Sequence, residues 1–277
     1  TLEATGGPMP VRDPAEPIAL SGSGLDRMLA CPLQWFLEHE VRAETSSQPA
    51  TQFGSIVHAV ADFVAKGEIP DDLDAMDEQV ERVWAELRFE APWQADAERV
   101  EARMALERFL TYHQRHEREL VTSEIELKAE VEVPTPDGGH DQVRLRGFID
   151  RLERDADGRL VPIDLKNMHT PPGQAQIPAH GQLGVYQLLV RENHEESPGG
   201  AALVQLRAST SAKDNSPKQQ VQEALPTEQP TWVEVRLGEA AHVIRTEAFL
   251  AIRGSQCRWC AYERVCPTGS AGKPVIE

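Results

Sequence analysis

The residue pattern predicts an α/β fold with a helical N-terminal part. Three observations carry this. Residues 121–133 alternate apolar and polar side chains strictly. Gly147–Asn167 alternates, turns at Asp155-Ala156-Asp157-Gly158 and alternates again, which is the signal of a β-hairpin. Upstream of both, from Gly24 to residue 120, apolar residues recur at helical spacing instead.

Taken in order, residues 1–18 read as a linker from a preceding domain, and a start at Thr1 after no methionine suggests a domain excised from a longer chain. The folded part is expected over residues 19–277. Ser23 is the expected N-cap of a helix over Gly24–Glu40, with Leu25, Met28, Leu29, Trp35, Phe36 and Leu37 as its apolar positions. Cys31-Pro32 should interrupt it. Thr51–Lys66 predicts a second helix with Ile56, Val57, Val60, Phe63 and Val64 inward and His58 near its start. Residues 68–120 read as a helical insertion, broken near Ala91-Pro92, with Trp84, Leu87, Met104, Leu106, Phe109, Leu110 and Tyr112 facing a core. Its many Glu and Arg residues make a solvated face.

A strand over 121–133 follows, then a turn at Pro134–Gly139, then the hairpin strands Val143–Leu152 and 159–165. Gly181–Glu192 predicts a helix that sets Gln182 and Tyr186 on one face at i and i+4. Ala201–Leu206 is a short strand, and the polar stretch 208–230 reads as a mobile loop. Thr231–Leu237 alternates and predicts a strand, Gly238–Ile252 predicts a helix, and a cysteine cluster at 257–267 closes the domain.

Composition narrows the function classes. At 277 residues, 40% hydrophobic and 26% charged, the chain suits a globular domain with a sizeable core. No apolar run approaches the roughly 20 residues of a membrane helix, and no charged-then-apolar leader is visible, so a cytoplasmic protein without membrane contact is expected. A net charge of −17 argues against a free-standing tight nucleic-acid binder, whose footprint is a basic patch. Acidic residues crowd 68–101, whereas Lys and Arg gather at 144–166 and 245–264, so a site meeting nucleic acid delivered by another domain stays open.

Two constellations carry chemistry. Asp150 on the first hairpin strand, with Asp164 and Lys166 on one face of the second, make a hard-metal site with a cation beside it, suited to Mg²⁺ or Mn²⁺. Taken alone, an Asp-x-Lys is more often a surface ion pair, and a lone His58 is more often a satisfied helix residue. The second constellation is Cys257-x2-Cys260-x5-Cys266-Pro267 with Cys31-Pro32 far upstream, all four cysteines of the chain. Three within ten residues point to soft-metal ligation, with an iron–sulfur cluster favoured over zinc, which prefers two close pairs. Cys31 alone could equally be a buried core residue.

In these residues the chain resembles the RecB-type branch of the PD-(D/E)xK nucleases, in the form that carries a four-cysteine iron–sulfur clasp. Such domains occur in AddAB-type and actinobacterial AdnAB helicase–nucleases. The resemblance runs from Leu20 to Pro267. It rests on Ser21–Pro32, Gly54-Ser55-Ile56-Val57-His58, Gly147-x-x-Asp150-Arg151, Ile163-Asp164-Leu165-Lys166, Gln182-x3-Tyr186 and the closing cysteines. It implies a restriction-endonuclease-like core, a mixed central sheet flanked by helices, with the clasp joining the N- and C-terminal segments. It also implies a divalent metal on His58, Asp150, Asp164 and the Leu165 carbonyl, and Lys166 orienting the attacking water. Gln182 and Tyr186 would position DNA, and Cys31, Cys257, Cys260 and Cys266 would hold a structural [4Fe–4S] cluster. The implied partners are single-stranded DNA, a helicase motor in the same chain and a second helicase–nuclease subunit. Asn167-Met168 departs from the Thr-Gly that commonly follows the family's lysine. A stand-alone exonuclease of CRISPR adaptation and a catalytically silent DNA-binding or scaffolding module are the competing readings.

Overall fold

A computed structural model describes residues 12–43, 49–84, 92–115, 117–168, 170–209 and 215–269. In chain order these residues form β1 (Ile18–Leu20), α1 (Gly22–Ala30), α2 (Pro32–His39), α3 (Pro49–Ala65), α4 (Leu73–Trp84) and α5 (Pro92–Arg115). There follow β2 (Glu119–Pro134), β3 (His140–Arg154), β4 (Leu160–Lys166), α6 (Gly181–Asn193), β5 (Ala201–Ser209), β6 (Pro217–Gln222) and α7 (Trp232–Arg245). Short 3₁₀ turns at Gln174–Ala179, Ser255–Trp259 and Glu263–Val265 complete the set. The expected mixed sheet flanked by helices is present. No helix among the described residues is long and apolar enough to cross a membrane.

The chain divides into two units. The larger comprises residues 46–127 and 147–225. The hairpin forms here as expected: β3 pairs antiparallel with β4 from Arg154↔Leu160 to Arg151↔Ile163. Gly158 closes the turn at φ +80°, a left-handed conformation that glycine adopts without strain. Strand β5 then lies parallel to β4, with Asp164 beside Leu203 and Lys166 beside Gln205. Two-residue alternation sends Val161, Ile163 and Leu165 of β4 and Ala202, Val204 and Leu206 of β5 to one side. There they pack with Val57, Val60, Met76, Val80, Leu106 and Phe109 of α3, α4 and α5. Ala201 and Leu203 point the other way, onto Leu183 of α6 and Ile177 of the first 3₁₀ turn.

The helical reading of 68–120 is realised as α4 and α5, the latter starting at Pro92, where a proline's missing N–H costs nothing. Ala91 and Leu87 lie outside the described residues. The polar loop expected over 208–230 is corrected: Pro217–Gln222 forms β6, antiparallel to β5. Its inward positions are Pro217, Gln220 and Gln222, while Val221 is half exposed, the reverse of the usual strand alternation. The buried Gln220 and Gln222 amides are satisfied by other side chains and by backbone: Gln205 Nε2 donates to Gln220 Oε1 at 2.9 Å and Gln187 Nε2 to Gln222 Oε1 at 2.9 Å. Gln220 Nε2 reaches the Pro172 carbonyl at 2.8 Å, and Gln222 Nε2 the Ile177 carbonyl at 2.7 Å. These bonds fasten the segment between Lys166 and Gln182 to the sheet.

The smaller unit comprises residues 1–45, 128–146 and 226–277. Within it β1 pairs parallel with β3 through Ile18↔Val143 and Leu20↔Leu145. Ser21, not Ser23, caps the first helix, its hydroxyl accepting the Gly24 N–H at 3.1 Å. The helix does break at Cys31-Pro32 and restarts with Pro32 in its first turn. The strand read over Thr231–Leu237 is also corrected, because these residues open α7. Thr231-x-x-Glu234 is a capping box: the Glu234 carboxylate accepts from the Thr231 N–H at 2.6 Å and from its hydroxyl at 2.7 Å. That cap outweighs the local alternation. The helix expected to 252 ends at Arg245, whose guanidinium holds Asp141 at 2.8 and 3.0 Å and the carbonyls of Asp13 and Glu16 at 2.7 and 2.6 Å.

Candidate active site

The hairpin, β2, α3 and α6 bring seven ionisable or hydrogen-bonding side chains together in the larger unit. At the end of the paired residues of β3 and β4, the Asp150 carboxylate accepts the Leu165 N–H through Oδ2 at 2.6 Å. Its Oδ1 lies 3.3 Å from His58 Nδ1 on α3. Glu124 on β2 completes a trio with them, its ligand atom and those of His58 and Asp150 all within 4.8 Å of one another. Glu124 holds φ +48° inside a strand, a left-handed conformation costing a non-glycine residue about 1–2 kcal/mol. Its neighbour Ser123 is buried, the hydroxyl donating to Asp62 at 2.6 Å.

Asp164 is placed differently. It is buried, and Lys166 Nζ lies 2.7 Å from its Oδ2 in a close ion pair. Gln182 Nε2 donates to Asp164 Oδ1 at 3.1 Å and to the Tyr186 hydroxyl at 2.8 Å, while its Oε1 accepts from Lys166 Nζ at 3.2 Å. The Tyr186 hydroxyl donates to the Phe148 carbonyl at 2.6 Å. Gly147 makes this possible, since a Cβ there would stand 2.6 Å from Leu189 Cδ1 and 3.0 Å from the Tyr186 ring. The i, i+4 pair read on α6 thus forms one face as expected. Tyr186 is buried, with its hydroxyl inside the cluster rather than on the surface.

The electrostatics follow from this packing. Burial pushes the Asp164 carboxyl up to about 6, with Lys166 opposing and Asp150 adding to the rise. Burial raises the Glu124 carboxyl as well, and Asp150 adds to it. Burial lowers the His58 imidazole, but its hydrogen bond to Asp150 and the charges of Asp150 and Asp164 outweigh that, and the net direction is up. Burial is thus the largest cause at Asp164 and Glu124, and the Asp150 carboxylate adds to the rise at all three groups.

A cleft of about 740 Å³ opens over this cluster, lined by His58, Asp62, Glu124, Asp150, Leu165 and Lys166, with Asn167 and Met168 at its edge. One nitrogen and two carboxylate donors facing an open cleft fit a hard divalent cation that keeps room for water and phosphate oxygens. Of the residues read as metal ligands, the structure groups His58 and Asp150, puts Asp164 with Lys166, and shows Leu165 through its N–H. Glu124 is the residue that sequence reasoning missed. In the sequence it is one of several glutamates in an alternating strand, and its only distinguishing mark is a backbone angle.

Beneath the hairpin a buried network ties α5 to β3. Tyr112 donates to Glu153 at 2.8 Å, Arg151 Nε donates to Glu153 Oε1 at 3.0 Å, and Arg151 lies over the Phe109 and Tyr112 rings. Arg151 is the next residue after Asp150, so this network fixes the strand that carries the site.

In the smaller unit, Cys31, Cys257, Cys260 and Cys266 are free thiols lining one small hollow with Gln34, Ile252 and Thr268. Burial raises the Cys260 thiol, and the other three cysteines raise it further. The Thr268 hydroxyl, 3.2 Å from Cys266 Sγ, lowers that thiol. Among the described residues no three of these sulfurs lie within 4.8 Å of one another. Hydrogen bonds join the two ends of the unit beside them: Leu33 N–H to the Leu250 carbonyl at 3.1 Å, and Gln256 Nε2 to the Ala30 carbonyl at 3.0 Å.

The hairpin, its Asp150 and Asp-x-Lys pair, and the helices around the sheet are the arrangement expected of a PD-(D/E)XK core. The sequence matches the PD-(D/E)XK nuclease superfamily over residues 19–267, and the chain belongs to that superfamily. Among solved structures it is similar to one described as "Crystal structure of SSO0001", at 15% identity and a TM-score of 0.43, over 91% of this chain and 87% of that one. No curated protein matches the sequence.

Proposed function

We propose that this chain is the nuclease domain of an AdnAB-type helicase–nuclease, in its AdnB subunit, and that it hydrolyses phosphodiester bonds of single-stranded DNA during double-strand break resection in the cytoplasm. One observation carries the catalytic part of this reading: Lys166 is held between Asp164 and Gln182 at the rim of the cleft that His58, Glu124 and Asp150 line. A divalent cation bound by His58, Glu124 and Asp150, Mg²⁺ or Mn²⁺, would supply Lewis-acid polarisation of the scissile phosphate. The ammonium of Lys166 orients the attacking water and offsets negative charge developing on the phosphoryl oxygens. Asp164 and Gln182 fix that ammonium, and Tyr186 acts on the strand indirectly, through Asp164 and the Phe148 backbone. The helicase motor and second subunit deliver the strand, which accommodates a net charge of −17.

The four cysteines are proposed to bind a structural [4Fe–4S] cluster. What supports this reading is that all four thiols line one small hollow and that three of them crowd within ten residues of a cysteine-poor chain.

The test is cleavage of a 5′-labelled single-stranded oligodeoxyribonucleotide with Mg²⁺ or Mn²⁺, with Asp164→Ala as control. Metal-dependent cutting lost in the variant is expected. Equal background in both proteins ends the nuclease reading.

A further inference from the structure

Asp62 lies one helical turn after His58 on α3, so both side chains leave the same face of that helix, and both line the cleft. Val57, Ala61 and Val64, on the adjoining stripe of α3, are buried in the core and fix the helix against the sheet. Asp62 nevertheless stands outside the trio of clustered donors, His58, Glu124 and Asp150. Its two oxygens are engaged by the protein instead: Oδ1 accepts from the Ser123 hydroxyl at 2.6 Å and Oδ2 from Lys66 Nζ at 2.6 Å. Ser123 is buried on β2, and the next residue is Glu124, at φ +48°.

A left-handed residue inside a strand persists only where its surroundings hold it there. Glu124 itself is exposed, so packing does not lock its side chain. The residue before it is locked, because Ser123 is buried and its hydroxyl is bonded to a helix that the core holds. We propose that Asp62 is a positioning residue of the metal site: through the Ser123 hydroxyl it ties β2 to α3 and keeps the Glu124 carboxylate beside His58 and Asp150. Without that bond β2 relaxes toward ordinary extended backbone at Glu124, and the carboxylate leaves the other two donors. One helix then arranges two of the three ligands, His58 directly and Glu124 through Asp62. This rests on the reading of the cleft as a divalent-metal site and adds to it the residues that set its affinity. Groups that orient ligands from outside the coordination shell commonly change metal affinity about tenfold or more.

The experiment titrates Mn²⁺ into the whole 277-residue chain and reads bound metal from the loss of the free-ion paramagnetic resonance signal, with cleavage recorded separately. Ser123→Ala raises the Mn²⁺ dissociation constant about tenfold, while Ser123→Thr, which keeps the hydroxyl, stays near wild type. Asp62→Ala removes the acceptor instead and gives a similar loss, with the double variant no weaker than Asp62→Ala. Asp62→Asn weakens the bond without emptying the position; it gives a smaller loss and carries the test where an alanine variant does not fold. In a Glu124→Ala background, Ser123→Ala changes the constant no further, whereas a general loosening of the fold would. Wild-type affinity in Ser123→Ala, or an equal further loss in the Glu124→Ala background, overturns the inference and leaves the nuclease reading intact. A loss in Asp62→Ala alone makes Asp62 a direct ligand and overturns it equally. If the variants shift Mn²⁺ binding as expected but wild type cuts no more than Asp164→Ala, the nuclease reading fails and the positioning role stands. A wild-type protein that binds no Mn²⁺ ends the metal-site reading and this inference with it.

Discussion

Lys166 Nζ lies 2.7 Å from Asp164 Oδ2, two residues away on one strand, and Gln182 closes the triangle by bonding both. An ammonium so fixed has little freedom to reorganise when charge develops beside it, which is the condition under which a preorganised cation contributes most to a rate. Replacing Lys166 by Met should lower kcat about 10²–10³-fold with KM nearly unchanged. Gln182→Ala should give a smaller loss, about tenfold, because the ion pair survives. Steady-state kinetics on labelled single strands reads both.

Asp164 has a stability signature opposite to that of a surface carboxylate. Its folded-state pKa is raised from 3.8 to about 6 by burial, so its protonated form favours folding. That contribution is complete below the ordinary carboxylate range and is lost as pH rises through about 6. In the presence of EDTA, Asp164→Asn should therefore be more stable than wild type at pH 7.5, by about 1–3 kcal/mol, and no more stable at pH 4. Urea denaturation at the two pH values measures it. Equal gains at both would mean the ion pair with Lys166 cancels the burial cost.

Glu124 should trade stability against metal use. Glycine at φ +48° relieves the left-handed strain, so Glu124→Gly should raise the unfolding midpoint, by about 1 kcal/mol in free energy. The same variant loses one of three clustered donors, and the Mg²⁺ concentration for half-maximal cleavage should rise at least about tenfold. A thermal melt and a metal titration separate the two effects.

The Arg151–Glu153–Tyr112 network predicts an asymmetric pair of variants. Glu153→Ala leaves the buried Arg151 guanidinium without its carboxylate and should cost about 3–5 kcal/mol. Tyr112→Phe removes a hydrogen bond alone and should cost about 1–2 kcal/mol. Chemical denaturation distinguishes them, and similar costs for both would show that Arg151 is held by its aromatic neighbours rather than by Glu153.

The cysteine quartet predicts colour. Protein purified anaerobically should absorb broadly in the visible with about four irons per chain, and Cys257→Ser should lose iron and lower the melting temperature. A colourless protein with one zinc would replace the cluster by a different centre.

Much of this is legible in the sequence. Asp155–Gly158 specified its turn, alternation specified β2 and β3, and Asp164 and Lys166 fell on one face because strand geometry repeats every two residues. Gln182 and Tyr186 met because helix geometry repeats near four. The failures have equally local causes. Pro217–Gln222 looks like a loop because its buried positions are glutamines, and only partners on α6, β5 and the segment after β4 make those amides acceptable inside. Trp232-Val233-Glu234-Val235-Arg236-Leu237 looks like a strand because two periodicities overlap over so few residues, and the Thr231–Glu234 cap decides between them.

By itself, then, the sequence determined the elements whose signals are periodic or lie within one turn, together with the Asp-x-Lys pair and the crowded cysteines. The tertiary structure decided which distant groups meet: Glu124 with His58 and Asp150, Tyr186 beneath Phe148, and glutamines paired across a sheet. Local geometry fixes what lies two to four residues apart. Contacts between residues such as His58 and Asp150 exist only because burying several apolar faces at once leaves the chain few ways to close.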